Sequence, residues 1–211
     1  MLLSIHPDNP EKRKIAQAAD CLKKGGLIIF PTDTIYAFGC DIYSSKAFEK
    51  ICRLKNVKPS AANFSFIMTD VGNIAEFTRP FDRSTFKLIK RLLPGPYTIV
   101  LNGSNAVPAI FRSSKKTIGI RIPANNIAMQ LSAALGNPIM ATSLHSPDTI
   151  REYPVDPAEI FDQYQHLVDI IIDGGAGNNI PSSIIDCTSD FPKLIRKGAG
   201  DTTFIESENI K

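Results

Sequence analysis

Three consecutive polar residues, Thr32, Asp33 and Thr34, are the strongest candidates for chemistry in this chain of 211 residues. They follow the apolar segment 27–30, whose β-branched and aromatic residues predict a short buried strand, and Pro31, which cannot continue a hydrogen-bonded ladder. In open α/β sheets, ligands bind beyond the carboxyl ends of strands. Hydroxyl and carboxylate groups at such a place therefore predict a site for a small polar substrate. Since threonine and aspartate also cap turns, a purely structural role stays equally open.

Further polar residues stand where other predicted strands begin or end. Arg121 lies near the end of strand 117–122, and a guanidinium there can bind a carboxylate or phosphate through two parallel hydrogen bonds. The polar groups at the other strand ends are Thr142, Ser143, Ser182, Ser183 and Arg196. A single arginine is most often solvated, and a single serine most often forms a turn. Only convergence of these side chains on one cleft would make them a binding site.

The motifs argue against several kinds of site. The four cysteines form no CxxC pair, and with only three histidines the chain has no zinc-ligand spacing, so we expect no metal centre. Segment 174–177, Gly-Gly-Ala-Gly, follows a predicted strand but matches neither the P-loop nor the dinucleotide-binding motif, and we interpret it as a plain loop. No histidine has a G-x-S-x-G partner, which argues against hydrolysis by a serine nucleophile.

Composition indicates an ordinary globular protein. Apolar residues make up 43% and charged residues 21% of the chain, and the net charge is +3. That mild positive charge permits an anionic partner without requiring one. The first residues lack a secretory pattern, and no apolar run reaches the ~18 residues of a membrane helix. Cysteines without a disulfide pattern fit a reducing compartment, so we expect a cytoplasmic protein with no membrane partner.

The periodicity of apolar residues predicts an α/β fold. Helices are predicted near 10–24, 45–54, 71–77, 82–93, 127–135 and 157–166. Strands are predicted at 27–30, 64–68, 97–101, 117–122, 138–142, 169–172, 183–186 and 194–196. Because no helix separates the last three strands, we expect part of the sheet to be antiparallel. Residues 1–211 are then one domain, a mixed parallel and antiparallel sheet flanked by helices, in which Phe86, Ile89 and Leu93 face the core.

One predicted helix carries a basic stripe. In the helix 45–54 and just beyond it, cations recur opposite the apolar face, at Lys46, Lys50, Arg53, Lys55 and Lys58. Such a stripe can contact the phosphates of RNA. Charged residues on the outer face of a helix are more often only solvated. Binding of RNA by these residues is therefore a hypothesis that competes with simple solvation.

Taken together, the motifs resemble those of the YrdC/YciO family, the threonylcarbamoyl-adenylate synthases and their relatives. The resemblance runs from residue 5 to residue 200, and its clearest segments are 31–40, 92–98, 116–123, 142–143, 182–186 and 196–198. The opening segment 5–10 and the Arg-Leu-Lys at 53–55 are most similar to the YciO branch.

The resemblance implies a twisted sheet with a basic concave face and a nucleotidyltransfer reaction. In that reaction L-threonine, bicarbonate or carbon dioxide, and ATP with Mg²⁺ give threonylcarbamoyl-AMP and pyrophosphate. The product serves the modification of an adenosine in tRNA, and binding of double-stranded RNA is also linked to the family. Such chemistry needs positioning and charge stabilisation, which agrees with the missing nucleophile motif. No tightly bound cofactor is implied.

Site residues carry over from the family's motifs by position. The residues that would hold threonine are Thr34, Arg121 and Ser182. The residues that would hold the nucleotide are Lys55, Asn63, Thr117, Ser143 and Arg196. Lys55 and Arg121 are then the groups expected to position the reactants and stabilise charge. RNA would contact Lys46, Lys50, Arg53 and Lys58.

The chain departs from the synthase pattern at three positions. Val57 replaces the Arg of a Lys-x-Arg pair, His145 replaces the Asn of a Ser-x-Asn motif, and Met68 replaces a His near the threonine pocket. The first two losses remove strong contacts to phosphates. Two functions therefore stay open: a threonylcarbamoyl-AMP synthase, or an RNA- or nucleotide-binding protein of the same fold without efficient turnover.

Overall fold

The computed structural model describes residues 1–62, 64–111, 116–144 and 153–208. The strands in these ranges are β1 (Leu2–Ser4), β2 (Ile28–Phe30), β3 (Ala37–Asp41), β4 (Ser65–Ile67), β5 (Tyr97–Asn102), β6 (Thr117–Arg121), β7 (Ile139–Ser143), β8 (Ile170–Asp173), β9 (Ser183–Asp186) and β10 (Lys193–Arg196). The helices are α1 (Lys12–Lys23), α2 (Ser45–Leu54), α3 (Ile74–Phe77), α4 (Arg83–Leu92), α5 (Asn126–Leu135), α6 (Pro157–Tyr164) and α7 (Thr203–Glu208). None of these helices is long and apolar enough to cross a membrane.

All ten strands join one sheet in the order β1-β8-β2-β3-β7-β4-β6-β5-β9-β10. Strand β8 pairs in parallel with β1 and β2, and the pairs β4–β6 and β5–β9 are also parallel. The remaining pairs are antiparallel. The predicted fold, a mixed sheet flanked by helices, is therefore confirmed.

The two faces of the sheet are covered unequally. Successive strand residues point to opposite faces, and one face packs against α2, α3, α4, α6 and α7 in a main core around Phe38, Phe48 and Phe66. The other face packs against α1 and α5 in a second core that takes residues from β1, β8, β2, β3, β7 and β4. Strands β5, β6 and β9 contribute nothing to that second core. Their side chains on this face form the floor of an open cleft.

Local sequence signals explain several helix boundaries. The Ser44 hydroxyl accepts from the Ala47 amide, and the Asp82 carboxylate accepts from the Thr85 amide, so each caps the helix that follows it. Helix α5 ends at Gly136, whose φ of 81° suits glycine. These boundaries lie where the sequence predicts them.

Three elements and one packing direction differ from the predictions. The sequence did not predict β1, β3 or α7, and α1 begins at Lys12 rather than at Pro10. Gly39 weakens the strand signal of β3, but a side chain there would meet the Phe30 ring at 2.6 Å, so the close approach of β2 and β3 requires glycine. Phe86 is 40% exposed, because the buried stripe of α4 runs through Thr85, Ile89 and Leu92 instead.

Candidate functional site

The segment after β2 is a tight polar turn under the cleft. The Thr32 hydroxyl donates to the Ile35 carbonyl at 2.7 Å and accepts from the Thr34 amide at 3.1 Å. Both threonines are buried, and their Oγ1 atoms lie 3.1 Å apart. Thr32 therefore shapes the turn, as expected of a capping residue, and it holds the Thr34 hydroxyl in one position.

Arg121, at the end of β6, forms a buried ion pair with this turn. Its Nη2 atom lies 2.6 Å from Asp33 Oδ1 and donates to Thr34 Oγ1 at 3.0 Å. Both charged side chains are only 8% exposed. Burial lowers the pKa of Arg121, and the Asp33 carboxylate opposes that effect. Within the described chain the buried Nε atom of Arg121 has no hydrogen-bond acceptor, which is costly unless a ligand supplies one.

Lys55 lies just beyond the last residue of α2 and turns inward. Its ammonium donates to the Ser143 carbonyl at 2.7 Å and lies 3.5 Å from the Ser143 hydroxyl. Lys55 is 7% exposed, so its predicted place on the solvent-facing stripe is wrong, because the helix ends before it. Burial lowers the pKa of Lys55 to about 8.

Ser182 and Arg196 form the opposite wall. The Arg196 guanidinium donates through Nε and Nη2 to the Ser182 carbonyl at 3.2 and 2.8 Å. The Ser182 hydroxyl lies 2.8 Å from the Thr98 hydroxyl on β5, and both residues are buried. The guanidinium is thus fixed by one edge above the floor of the sheet.

The predicted residues converge on a cleft with two connected parts. The narrow pocket, of about 120 Å³, is lined by Arg121, Ser143, Ser182 and Arg196. The wide cavity, of about 580 Å³, contains Thr117 and shares Ser65, Thr98 and Ile184 with the narrow pocket. Thr34 and Lys55 are not part of the lining, but Thr34 contacts the lining residue Arg121, and Lys55 contacts the lining residue Ser143. This convergence is the condition that the sequence alone left open.

Sequence reasoning missed part of the floor. Ser65, Thr98 and Gly119 lie side by side in the cleft, and Asp186 lies in the wide cavity. For Thr98 and Gly119 the signal was the alternation in β5 and β6, where mostly small or polar residues alternate with residues of the main core, namely Ile99, Leu101, Ile118 and Ile120. Such alternation predicts one face without an apolar covering layer.

Two departures from the synthase pattern lie in the core. Val57 packs against the main core, and Met68 is 1% exposed within it. Neither lines the narrow pocket or the wide cavity. Asn63 and His145 fall outside the described residues. No group of three or more His, Cys, Asp or Glu side chains in the described ranges could hold a metal ion.

Two of the predicted RNA contacts lie elsewhere. Lys46 and Lys50 line a groove of about 1010 Å³ between α1 and α2, together with Arg13 and Lys24. We call it the α1–α2 groove. Arg53 and Lys58 are exposed and do not line it. The basic residues of α2 and the cleft are therefore separate features.

The fold and the cleft define an α/β protein with an open sheet face whose cleft is lined by arginine side chains and hydroxyl groups. The family model Sua5/YciO/YrdC, described as "Telomere recombination", matches residues 20–198. The protein YciO of Escherichia coli K12, named as uncharacterized, is 42% identical over 199 residues, which is 93% of this chain and 95% of that protein. The chain belongs to the Sua5/YciO/YrdC family.

Solved structures of relatives agree with this assignment. The crystal structure of E. coli YciO is 40% identical, has a TM-score of 0.89 and matches 95% of this chain and 97% of its own. The structure of Pyrococcus abyssi Sua5 complexed with L-threonine is 26% identical, has a TM-score of 0.88 and matches 98% of this chain and 60% of its own. The threonylcarbamoyl-AMP synthase of P. abyssi is 29% identical over 189 residues, and this chain spans 55% of its length.

Proposed function

We propose that this protein makes threonylcarbamoyl-AMP from L-threonine, bicarbonate or carbon dioxide, and MgATP. The observation that carries the proposal is the buried Arg121 Nε atom, which has no acceptor among the described residues and lies in the lining of a pocket of about 120 Å³ with several hydroxyl groups. The carboxylate of threonine supplies the missing acceptor. The threonine complex of the P. abyssi relative supports this choice of amino acid.

The chemistry requires the charges that surround the cleft. The threonine amine adds to carbon dioxide, supplied directly or by dehydration of bicarbonate, and releases a proton, which gives threonine carbamate. An oxygen of the carbamate forms a bond to the α-phosphorus of ATP, and the bond from that phosphorus to the oxygen that bridges to the β-phosphorus breaks. Pyrophosphate leaves with the electron pair. Arg196 and Lys55 stabilise the phosphates, Ser143 and Thr117 bind the nucleotide, and Ser182 and Thr34 position threonine with Arg121. No side chain needs to form a covalent intermediate.

Ligand binding tests the proposal at equilibrium. A ligand that binds only the folded state raises the melting temperature. MgATP and threonine should each raise it, and both together should raise it further. A protein whose melting temperature responds to neither ligand would contradict the proposal.

Lys55 gives the nucleotide site a pH dependence. Its native pKa of about 8 lies below the ordinary 10.5, so the unfolded chain binds more protons between these values. Unliganded protein therefore gains stability as pH rises through that interval. Phosphates favour the ammonium, so MgATP affinity should fall about tenfold between pH 7 and pH 9. Calorimetric titration at several pH values checks this, and Lys55→Met should bind more weakly without the trend. A wild-type affinity that is flat with pH would remove Lys55 from the phosphate site.

We propose RNA binding as a second function, because of the α1–α2 groove. Four of its lining residues are cations, against the carboxylates of Asp20 and Asp169. None of the four takes part in an ion pair with a described acidic residue. Phosphate backbones bind such cations with a strong salt dependence.

Charge reversal in the groove tests the second function. Lys46→Glu with Lys50→Glu should weaken binding of a double-stranded RNA at least tenfold and flatten its salt dependence. Lys87→Glu with Lys90→Glu on α4 makes the same change in net charge on exposed residues outside the groove. Fluorescence anisotropy across salt concentrations compares the two variants. Equal losses in both would show that net charge, rather than the groove, governs RNA binding.

A further inference from the structure

The two parts of the cleft differ in charge. The narrow pocket is lined by the cations Arg121 and Arg196. In the wide cavity the described lining residues include no cation, and their single charged group is Asp186. Apolar groups from Val100, Ile184 and other residues make up much of its remaining surface. A carboxylate there repels phosphates, so the triphosphate and the wide cavity are mismatched.

Asp186 is held in place with one oxygen left for a ligand. Its Oδ1 atom accepts from the Thr188 amide at 2.9 Å and from the Thr188 hydroxyl at 2.7 Å. No donor of the described chain contacts Oδ2. Asp186 lies opposite Val100, and Val100 lies opposite Gly119, so the carboxylate and the open floor form one row across the sheet.

The distance between the charged regions suits one nucleotide. Arg196 of β10 pairs with Ile184 of β9, and Asp186 lies two residues further along β9. Two residues of a strand span about 7 Å. Ile184 lies between them and lines both parts of the cleft. On the other side of Asp186, Gly119 keeps the floor of the wide cavity low, since a side chain there would meet the Thr98 methyl at 3.1 Å and the Ser65 hydroxyl at 3.2 Å. One ligand can therefore contact Arg196 and Asp186 at the same time.

We propose that Asp186 accepts hydrogen bonds from the ribose hydroxyls of the nucleotide and sets its direction in the cleft. This inference rests on the proposed function. The triphosphate lies along Arg196, where the narrow pocket that takes threonine opens into the wide cavity, and the nucleoside occupies the wide cavity. Ribose hydroxyls are neutral donors, and hydrogen bonds to a charged acceptor are stronger than neutral ones. The site consequently selects ribonucleotides over nucleotides that lack both hydroxyls.

Calorimetry with three probes tests the assignment: MgATP, Mg-2′,3′-dideoxy-ATP and magnesium tripolyphosphate. Wild-type protein should bind MgATP at least about tenfold more tightly than the dideoxy nucleotide. Asp186→Asn keeps an Oδ1 acceptor for Thr188 but loses the charge. It should bind the two nucleotides within about threefold of each other, with tripolyphosphate affinity no lower than in the wild type. Asp190→Asn, an exposed residue beyond the same strand, makes the same charge change and should keep the wild-type preference.

The outcomes separate this inference from the function on which it rests. Wild-type protein that binds neither MgATP nor tripolyphosphate would overturn the proposed function together with the role of Asp186. MgATP binding with an unchanged ribose preference in Asp186→Asn would overturn the role of Asp186 alone. Equal melting temperatures of the two aspartate variants would show that a loss of preference does not arise from unfolding.

Discussion

Arg121→Ala should abolish the stabilisation of the protein by threonine and lower its free energy of unfolding by about 3–5 kcal/mol. The loss of stability arises because Asp33, whose side chain is 8% exposed, loses its ion-pair partner and is left with the Ala124 amide, which donates to its Oδ2 at 3.2 Å. The loss of binding arises because the Arg121 guanidinium is the group proposed to bind the carboxylate of threonine. Urea denaturation with and without threonine measures both effects.

A double variant separates stability from binding. Arg121→Met with Asp33→Asn removes both charges and keeps side chains of similar volume. Replacing a whole buried ion pair is often close to neutral, so this variant should unfold near the wild-type urea midpoint while remaining insensitive to threonine. If it responds to threonine as the wild type does, Arg121 does not bind the amino acid.

Gly198→Ala, which adds one methyl group next to the wall of the cleft, should lower the stability of the protein strongly. An alanine Cβ would lie against the Pro181 carbonyl oxygen and 2.5 Å from the Ser182 carbonyl carbon. Because these are backbone atoms, the backbone at residues 181–182 or at residue 198 must shift, and we expect a loss of about 3 kcal/mol or more. The shift would also move Ser182 away from Arg196 and weaken nucleotide binding.

Gly103→Ala is the matched control for that substitution. Its added Cβ would have ordinary contacts, 3.4 Å or more from the Lys116 carbonyl oxygen, Val107 and Ile118. Thermal unfolding should place this variant near the wild type and Gly198→Ala far below it. Similar melting temperatures for the two variants would show that the 198 position tolerates a side chain.

The sequence predicts the individual helices and strands better than the contacts between residues that lie far apart in the chain. Caps at Ser44 and Asp82 are local, so the helices they begin follow from a few residues. The ion pair of Arg121 with Asp33 joins residues 88 apart, and no local pattern specifies it. Strand β3 was missed because its glycine lowers strand propensity, and the tertiary contact that requires glycine lies in another strand.

The candidate site was predicted by resemblance more than by residue type. For segment 32–34 the sequence could not choose between a turn and a site, and the structure shows that Thr32 forms the turn while Thr34 contacts Arg121. Helical periodicity, extended one residue beyond α2, put Lys55 on the outer stripe, whereas the resemblance predicted it among the residues that hold the nucleotide. Asp186 was not singled out, since its role depends on which parts of the cleft carry charge.

Release of pyrophosphate tests the central claim most directly. Purified protein is incubated with MgATP, and pyrophosphate is measured with and without threonine and bicarbonate. The synthase account predicts release only when all three substrates are present, with none from the Arg121→Met, Asp33→Asn variant. Binding of MgATP and threonine without threonine-dependent release of pyrophosphate would contradict the synthase account. The protein would then bind both ligands in this cleft without synthase activity.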